Sequence, residues 1–113
     1  MNEITTLEDW EALLESSSTT PCFVFKHSTT CPTSAHAHNQ VNTYLAQRTE
    51  THPPFVLIKV IQSRPVSNAI AKTLGVTHQS PQLILVNKGI AVWDASHHWI
   101  TEDSIADAVE ALA

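Results

Sequence analysis

Two short apolar runs with a helical segment between them limit the folds open to this chain more than any other feature. Residues 22–27 read as a buried strand that becomes polar at its end, and residues 55–61 as a second strand rich in β-branched side chains. Between them lies a helical segment whose inward face comprises Ala37, Val41, Tyr44, Leu45 and Arg48. Strands joined by a helical crossover run parallel in one sheet. The sequence therefore predicts a β-α-β unit.

Helix and turn signals extend that unit on both sides. A helix start at Thr6, a helix stop at Gly75 and a hairpin turn at 87–89 are the clearest of them. Together they indicate helices at 7–16, at 64–74 and beyond Thr101, and strands at 82–86 and 90–94. The order α-β-α-β-α-β-β-α predicts a four-stranded mixed sheet with helices on both faces. This is a thioredoxin-like α/β arrangement, which we expect to form one domain over residues 1–113.

Charge and composition exclude several classes of function. The chain of 113 residues has a formal net charge of −5 and six scattered Lys and Arg residues, so we expect no nucleic-acid or anionic-lipid surface. Its longest apolar run is too short to span a bilayer, and its polar N-terminus lacks the pattern of a secretory signal. Two cysteines do not make a disulfide scaffold. We therefore expect a cytoplasmic monomer that binds neither nucleic acid nor membrane.

The motif Thr30-Cys31-Pro32-Thr33-Ser34 carries the strongest chemical signal. Proline is favoured at the first position of a helix, which makes Cys31 the N-cap residue. We expect its sulfur to face the N–H groups of Thr33 and Ser34 at the positive end of the helix dipole. Such a site stabilises a thiolate, the species that attacks disulfides. The alternative is an idle cysteine that happens to follow a strand.

The fourth position of this motif determines the kind of exchange. Dithiol oxidoreductases carry Cys-x-x-Cys, whereas this chain has Ser34 in place of the second thiol. Serine cannot resolve a mixed disulfide, so the sequence predicts a monothiol mechanism in which Cys31 passes its adduct to a free small thiol. The other cysteine, Cys22, begins a strand about one strand length away and is interpreted as core.

Ser80-Pro81 is the second signal, because it stands at the entrance to the third predicted strand. A cis proline here would present the backbone of Ser80 beside the Cys31 helix, where an extended substrate could pair with it. The alternative is a trans proline that only starts a strand.

The seven histidines do not form a metal-binding pattern. No pair has the spacing of a helical zinc site, and there is no Cys-x-x-Cys, so we expect no metal. His36, His38 and His52 are interpreted as solvated. His27 and His78 stand close in sequence to Cys31 and Ser80, and either could help to hold the thiolate ionised if protonated.

Four segments carry a resemblance to a known family. They are KHSTTCP at 26–32, RPVSN at 64–68, GVTHQSPQ at 75–82 and SHxWIT at 96–101. In this order and spacing, they resemble the YtxJ-type monothiol bacilliredoxins. The resemblance implies a thioredoxin fold and a glutaredoxin-like role with bacillithiol as the thiol co-substrate. It departs from the family at Thr33, where an aliphatic residue is expected.

The resemblance also implies roles for individual residues. Cys31 would attack a protein–bacillithiol mixed disulfide, release the repaired client protein and hold bacillithiol until a second thiol regenerates it, with Pro81 as the cis proline. Ser96, His97 and Thr101, at the start of the last helix, are candidate ligands of the cofactor's carboxylate, because helix N-termini favour anions. Lys26 is a further candidate through its charge. The alternative is a turn whose Thr101 only caps the helix, and a lysine that is only solvated.

Other functions remain open at this point. One is a general monothiol glutaredoxin-like exchanger that uses another small thiol. A second is a stress-related binding module on the same fold without turnover. A third is an iron–sulfur carrier, which would need Cys31 and an external thiol as cluster ligands.

Overall fold

Five strands and four helices alternate along the residues that this computed structural model describes, 1–48 and 52–112. The strands are β1 (Asn2–Glu3), β2 (Cys22–His27), β3 (Phe55–Lys59), β4 (Gln82–Asn87) and β5 (Ile90–Ser96). The helices are α1 (Leu7–Ser16), α2 (Pro32–Gln47), α3 (Arg64–Leu74) and α4 (Glu102–Glu110), and a short 3-10 turn (His97–Trp99) connects β5 to α4.

The strands form one mixed sheet in the order β1-β3-β2-β4-β5. β2 and β3 are parallel and β4 and β5 are antiparallel, which confirms both predicted pairings. The predicted number of four strands is wrong, because β1 adds a fifth beside β3. β1 consists of two exposed polar residues that are joined to β3 through the backbone, and the Ile4 N–H continues the contact by donating to the Leu57 carbonyl at 2.9 Å. Such a strand has no apolar alternation by which a sequence could reveal it.

Helices cover both faces of the sheet, and each face has its own core. On one side, Phe23 and Phe25 pack with Tyr44 of α2 and Ile105 of α4. On the other, the core comprises Trp10, Cys22, Val24, Val56, Ile58, Val66, Ile70, Ile84 and Val86. Alternate β2 residues face opposite layers, as the period of a strand requires. Cys22 is therefore a core residue, as predicted.

The predicted helix ends are confirmed by their capping geometry. The Asp9 N–H donates to Thr6 Oγ1 at 3.1 Å at the start of α1. Gly75 ends α3 with φ +66°, a left-handed conformation that is easiest for glycine. Thr101 and Ser104 form a capping box at the start of α4.

One end of the sheet gathers the segments that the sequence singled out. Lys26 of β2 lies opposite Gln82 of β4, and Gln82 lies opposite Ser96 of β5. The loop after β2, the segment before β4 and the turn after β5 therefore emerge at the same sheet end. Among the described residues, no helix has the length and apolar character needed to cross a membrane.

Candidate active site at the start of α2

Cys31 occupies the predicted place as the N-cap of α2, followed by Pro32 in the first turn. Its carbonyl accepts the first helical bond from the Ala35 N–H at 3.0 Å. The thiol is partly exposed, whereas Cys22 is buried. No capping hydrogen bond forms from Sγ of Cys31 to the first turn of the helix. The sulfur lies at the positive end of α2, and the first turn of that helix carries no acidic residue.

Ser34 fastens the loop that carries Cys31. Its side chain is fully buried, and its Oγ accepts a hydrogen bond from the Ser28 N–H at 3.0 Å. The same oxygen lies 2.6 Å from Nδ1 of His27. One hydroxyl thus joins the end of β2, the start of the loop and the first turn of α2. In the sequence, Ser34 stands out only as the residue in place of a second thiol, and no spacing rule signals this contact.

His27 is buried, with 8% of its surface exposed, and it is held neutral. Burial lowers its pKa first, and the nearby charges of His38 and Lys59 lower it further. The Ser34 hydroxyl donates to Nδ1 of His27 where that nitrogen is unprotonated, and in the other tautomer Nδ1 donates to Ser34 Oγ. A neutral His27 does not supply the positive charge that would help to hold a thiolate ionised.

Two histidines that were interpreted as solvated take part in packing. The His38 ring lies 4.8 Å from the His27 ring and 5.7 Å from the Phe25 ring, and burial lowers the pKa of His38. His52 hydrogen-bonds to the Pro53 carbonyl at 2.8 Å and meets Phe55 edge-on. Both are also partly exposed, because an imidazole can cover an aromatic core edge and face water at the same time. His36, in contrast, is exposed.

Lys26 lies inside the protein rather than at its surface. Its side chain is fully buried on the α3 side of the sheet, and Nζ donates to the Ser67 carbonyl at 3.4 Å. Burial lowers the pKa of Lys26 to about 8. The alternative of a lysine with a solvated tip is wrong, because α3 closes over the end of β2.

The Ser80–Pro81 peptide bond is cis, and Pro81 is buried at the start of β4. The Pro81 carbonyl accepts a hydrogen bond from the His97 N–H at 3.1 Å, which joins this segment to the 3-10 turn. The Ser80 hydroxyl oxygen is buried without a hydrogen-bond partner. Pro81 and His97, two of the predicted site residues, are thus brought into direct contact.

The Gln82 side chain stabilises the segment before Pro81 by two hydrogen bonds. Its side-chain amide donates to the Thr77 carbonyl at 3.1 Å and accepts from the Gln79 N–H at 3.4 Å. His78, between these two, is exposed, and its pKa is lowered by partial burial and by the charges of Lys26 and Arg64. Lys26 and His78 are therefore electrostatic neighbours across the sheet end.

Two backbone N–H groups at the start of α4 already donate to side chains and are not free to bind an added anion. The Ser104 N–H donates to Thr101 Oγ1 at 3.0 Å, and the Glu102 N–H donates to Gln40 Oε1 at 2.9 Å. Glu102 and Asp103 add negative charge to the same turn. Thr101 is thus a helix cap, which was the alternative interpretation. Ser96 ends β5 with partial exposure.

Metal binding has no support in the described part of the chain. No group of three or more His, Cys, Asp or Glu side chains there is arranged to hold an ion.

Comparison with known proteins agrees with this geometry. A family model described as monothiol bacilliredoxin BrxC matches residues 2–105. The chain belongs to the monothiol bacilliredoxin family. A solved structure described as an oxidoreductase with a thioredoxin fold is 34% identical, with a TM-score of 0.84 over 95% of this chain and 91% of that one.

More distant structures share the fold. A thioredoxin from Fasciola hepatica is 17% identical, with a TM-score of 0.75 and 98% of each chain covered. The thioredoxin NaTrxh from Nicotiana alata is 19% identical, with the same TM-score, and the match covers 97% of this chain and 90% of that one. The family and the fold together identify a thiol oxidoreductase.

Proposed function

We propose that this protein removes bacillithiol from mixed disulfides of client proteins, with Cys31 as its single reacting thiol. One observation carries the proposal. Cys31 is partly exposed at a helix start, while the position of a resolving thiol holds Ser34, whose buried hydroxyl is engaged by His27 and Ser28. The second cysteine, Cys22, is enclosed in the core, and burial raises its pKa to about 11.

The proposed reaction is two thiol–disulfide exchanges in sequence. The Cys31 thiolate attacks the bacillithiol sulfur of a protein–bacillithiol disulfide. The Cys31–bacillithiol disulfide forms, the original bond breaks, and the protein thiolate leaves and takes a proton from solvent. A second bacillithiol thiolate then attacks the adduct, which yields bacillithiol disulfide and returns the Cys31 thiolate. Each exchange is redox-neutral overall: the first moves the disulfide from the client to Cys31, and the second moves it from Cys31 to bacillithiol.

The proposed site extends around Cys31 across the sheet end. Thr30, Pro32 and Thr33 shape the helix start, and the Ser80-Pro81 backbone faces the extended client segment. We assign contact with bacillithiol to Ser96, His97 and His78. Lys26 acts only through its charge, since its ammonium group is buried. The proposed compartment is the cytoplasm, and the proposed form is a monomer.

Intact-protein mass spectrometry tests the proposal. Reduced protein is mixed with bacillithiol disulfide or, separately, with glutathione disulfide. We expect one bacillithiol adduct, absent in Cys31→Ser and present in the control Cys22→Ser, with slower capture of glutathione. Equal capture of both disulfides would favour a general glutathione-type exchanger. No adduct with either would contradict the proposal.

A further inference from the structure

Trp99 is the most exposed large apolar side chain of the described residues, with 78% of its surface accessible. Tryptophan is usually mostly buried, because its indole has a large apolar area. Its neighbour Ile100 is fully buried and anchors the turn from within. An exposed indole next to the buried Ile100 therefore indicates a binding role for Trp99.

The backbone holds Trp99 in this outward position from both sides. Before it, the His97 N–H donates to the Pro81 carbonyl at 3.1 Å. After it, the hydroxyl of Ser104 in α4 donates to the Trp99 carbonyl at 2.8 Å. The exposed indole is thus attached to the cis-proline segment and to α4, and not to a free loop.

A groove of about 360 Å³ adjoins this indole, between β5 and the start of α4. Its lining comprises Trp93, Asp94, Ala95, Ser96, Trp99 and Ser104. We call it the Trp99 groove. Its volume is within the range of small-molecule sites. Trp93 gives it a firm floor, because its ring packs edge-on against Phe23 in the core at 6.1 Å.

The Trp99 groove adjoins the end of the sheet at which the Cys31 loop emerges. Ser96 lies opposite Gln82 in the β4–β5 register, one residue from Pro81. A small thiol whose sulfur is joined to Cys31 would therefore extend past Pro81 toward Ser96, with its remaining part directed at the groove. The lining also indicates the chemistry of that part.

No lysine, arginine or histidine is among the lining residues, so no positively charged side chain of the groove would stabilise a bound anionic group. The groove instead offers an indole face, the Ser96 hydroxyl and the outer edge of β5, the last strand of the sheet. An edge strand has N–H and C=O groups that are not paired within the sheet. An apolar face beside these hydrogen-bonding groups and the Asp94 carboxylate suits a hydroxyl-rich ring.

We propose that the Trp99 groove binds the sugar ring of the low-molecular-weight thiol that Cys31 exchanges. This inference rests on the proposed function and names the part of the thiol that the protein recognises. Bacillithiol, in which a cysteine is joined to a sugar ring, belongs to this class. The indole of Trp99 stacks on the ring, and the β5 edge and Ser96 hydrogen-bond its hydroxyl groups.

Trp99→Ala, Trp99→Phe and the control Ile90→Ala test the inference. Ile90 is also an exposed apolar residue of β5 but lies at its opposite end. We measure the rate of adduct formation on Cys31 with bacillithiol disulfide and with cystamine, a disulfide without a ring. Trp99→Ala should slow bacillithiol capture about fivefold or more, given the usual strength of aromatic stacking. Trp99→Phe should recover part of the rate, while cystamine capture and the Ile90→Ala variant stay unchanged.

Three results would overturn the inference. Capture of bacillithiol disulfide could be unchanged in Trp99→Ala. Capture of both disulfides could fall equally, which would assign Trp99 to the reactivity of Cys31 itself. Release of bacillithiol from a protein could fall while capture of the free disulfide stays constant, which would make the groove a client-protein site.

A titration without exchange separates this inference from the proposed function. Reduced bacillithiol is added to Cys31→Ser, and indole fluorescence is compared with that of the Cys31→Ser, Trp99→Ala double variant. A response that requires Trp99 supports the groove even if the wild type forms no adduct. Adduct formation in the wild type with no such response supports the proposed function and contradicts the groove.

Discussion

The Nδ1 atom of His27 lies 2.6 Å from Oγ of Ser34, at the position where a dithiol oxidoreductase would carry its second cysteine. The same oxygen accepts the Ser28 N–H, so the loop before Cys31 and the helix after it share one hydrogen-bonded centre. The absence of a resolving thiol is thus accompanied by a structural role for the residue that replaces it.

Ser34→Ala should destabilise the fold by about 1–3 kcal/mol, because a buried imidazole nitrogen and a backbone N–H each lose a partner. Chemical denaturation measures the free energy of unfolding. Ser18→Ala, at an exposed serine, serves as the control and should change it little. Equal stability of the two variants would show that the His27–Ser34–Ser28 centre does not hold the loop.

Ser34→Cys should convert the protein into a dithiol form. The new thiol would be three residues after Cys31 in the first turn of α2, which is the spacing of oxidoreductases that form an internal disulfide. Mass spectrometry of the oxidised variant should show the loss of two hydrogens and little retained bacillithiol. Thr33→Cys, at a neighbouring position with the wrong spacing, should keep its adduct. A stable bacillithiol adduct on Ser34→Cys would contradict the prediction.

Lys26→Met should stabilise the protein below pH 8. The pKa of Lys26 falls from 10.5 to about 8 on folding, so the unfolded chain binds a proton more tightly than the native state does. The native state therefore carries a penalty of roughly 3 kcal/mol at low pH, from 1.36 kcal/mol per pKa unit. Stability recovers as pH rises from about 8 to 10.5, the interval in which only the unfolded chain keeps the proton.

Urea denaturation at several pH values measures this difference. The advantage of Lys26→Met should be largest at pH 7 and should disappear above pH 10.5, the ordinary pKa of lysine. Lys72→Met, at an exposed position in α3, should show no such trend. If the difference in unfolding free energy between Lys26→Met and the wild type stayed constant with pH, or reversed, Lys26 would not be an uncompensated cation in the core of the native protein.

The two cysteines should differ sharply in reactivity toward iodoacetamide at neutral pH. Cys31 is partly exposed, whereas Cys22 is buried and its pKa is raised to about 11, so the native protein should take up a single label. Both thiols should react in denaturant, which serves as the control. Labelling of Cys22 in the native protein would indicate that its core opens, and would reopen a resolving role for it.

The sequence predicted those parts of the protein that depend on local chemistry and periodicity. Pro32 after Cys31 indicated the helix start, and Gly75 and Thr101 indicated helix ends. The parts that it missed depend on tertiary contacts. β1 is joined to β3 by backbone pairing and by a Glu3–Lys59 ion pair at 3.5 Å, and the Ser34–His27 contact links residues with no periodic relation.

Burial of polar side chains was the least predictable property of the site. Lys26 follows an apolar run and His38 follows Ala37, positions that equally suit solvent exposure, and only the packing of α2 and α3 determines their surroundings. Trp99 is the reverse case, since an aromatic residue in an apolar stretch suggests core but is held outward by Ser104 and the 3-10 turn.

The most direct test of the monothiol mechanism follows the release of bacillithiol from a bacillithiolated client protein, in the presence of free bacillithiol. We expect the wild type and Cys22→Ser to release it at the same rate, while Cys31→Ser retains only the uncatalysed rate. Release by Cys31→Ser at the wild-type rate, or loss of release in a folded Cys22→Ser variant, would contradict a monothiol mechanism through Cys31.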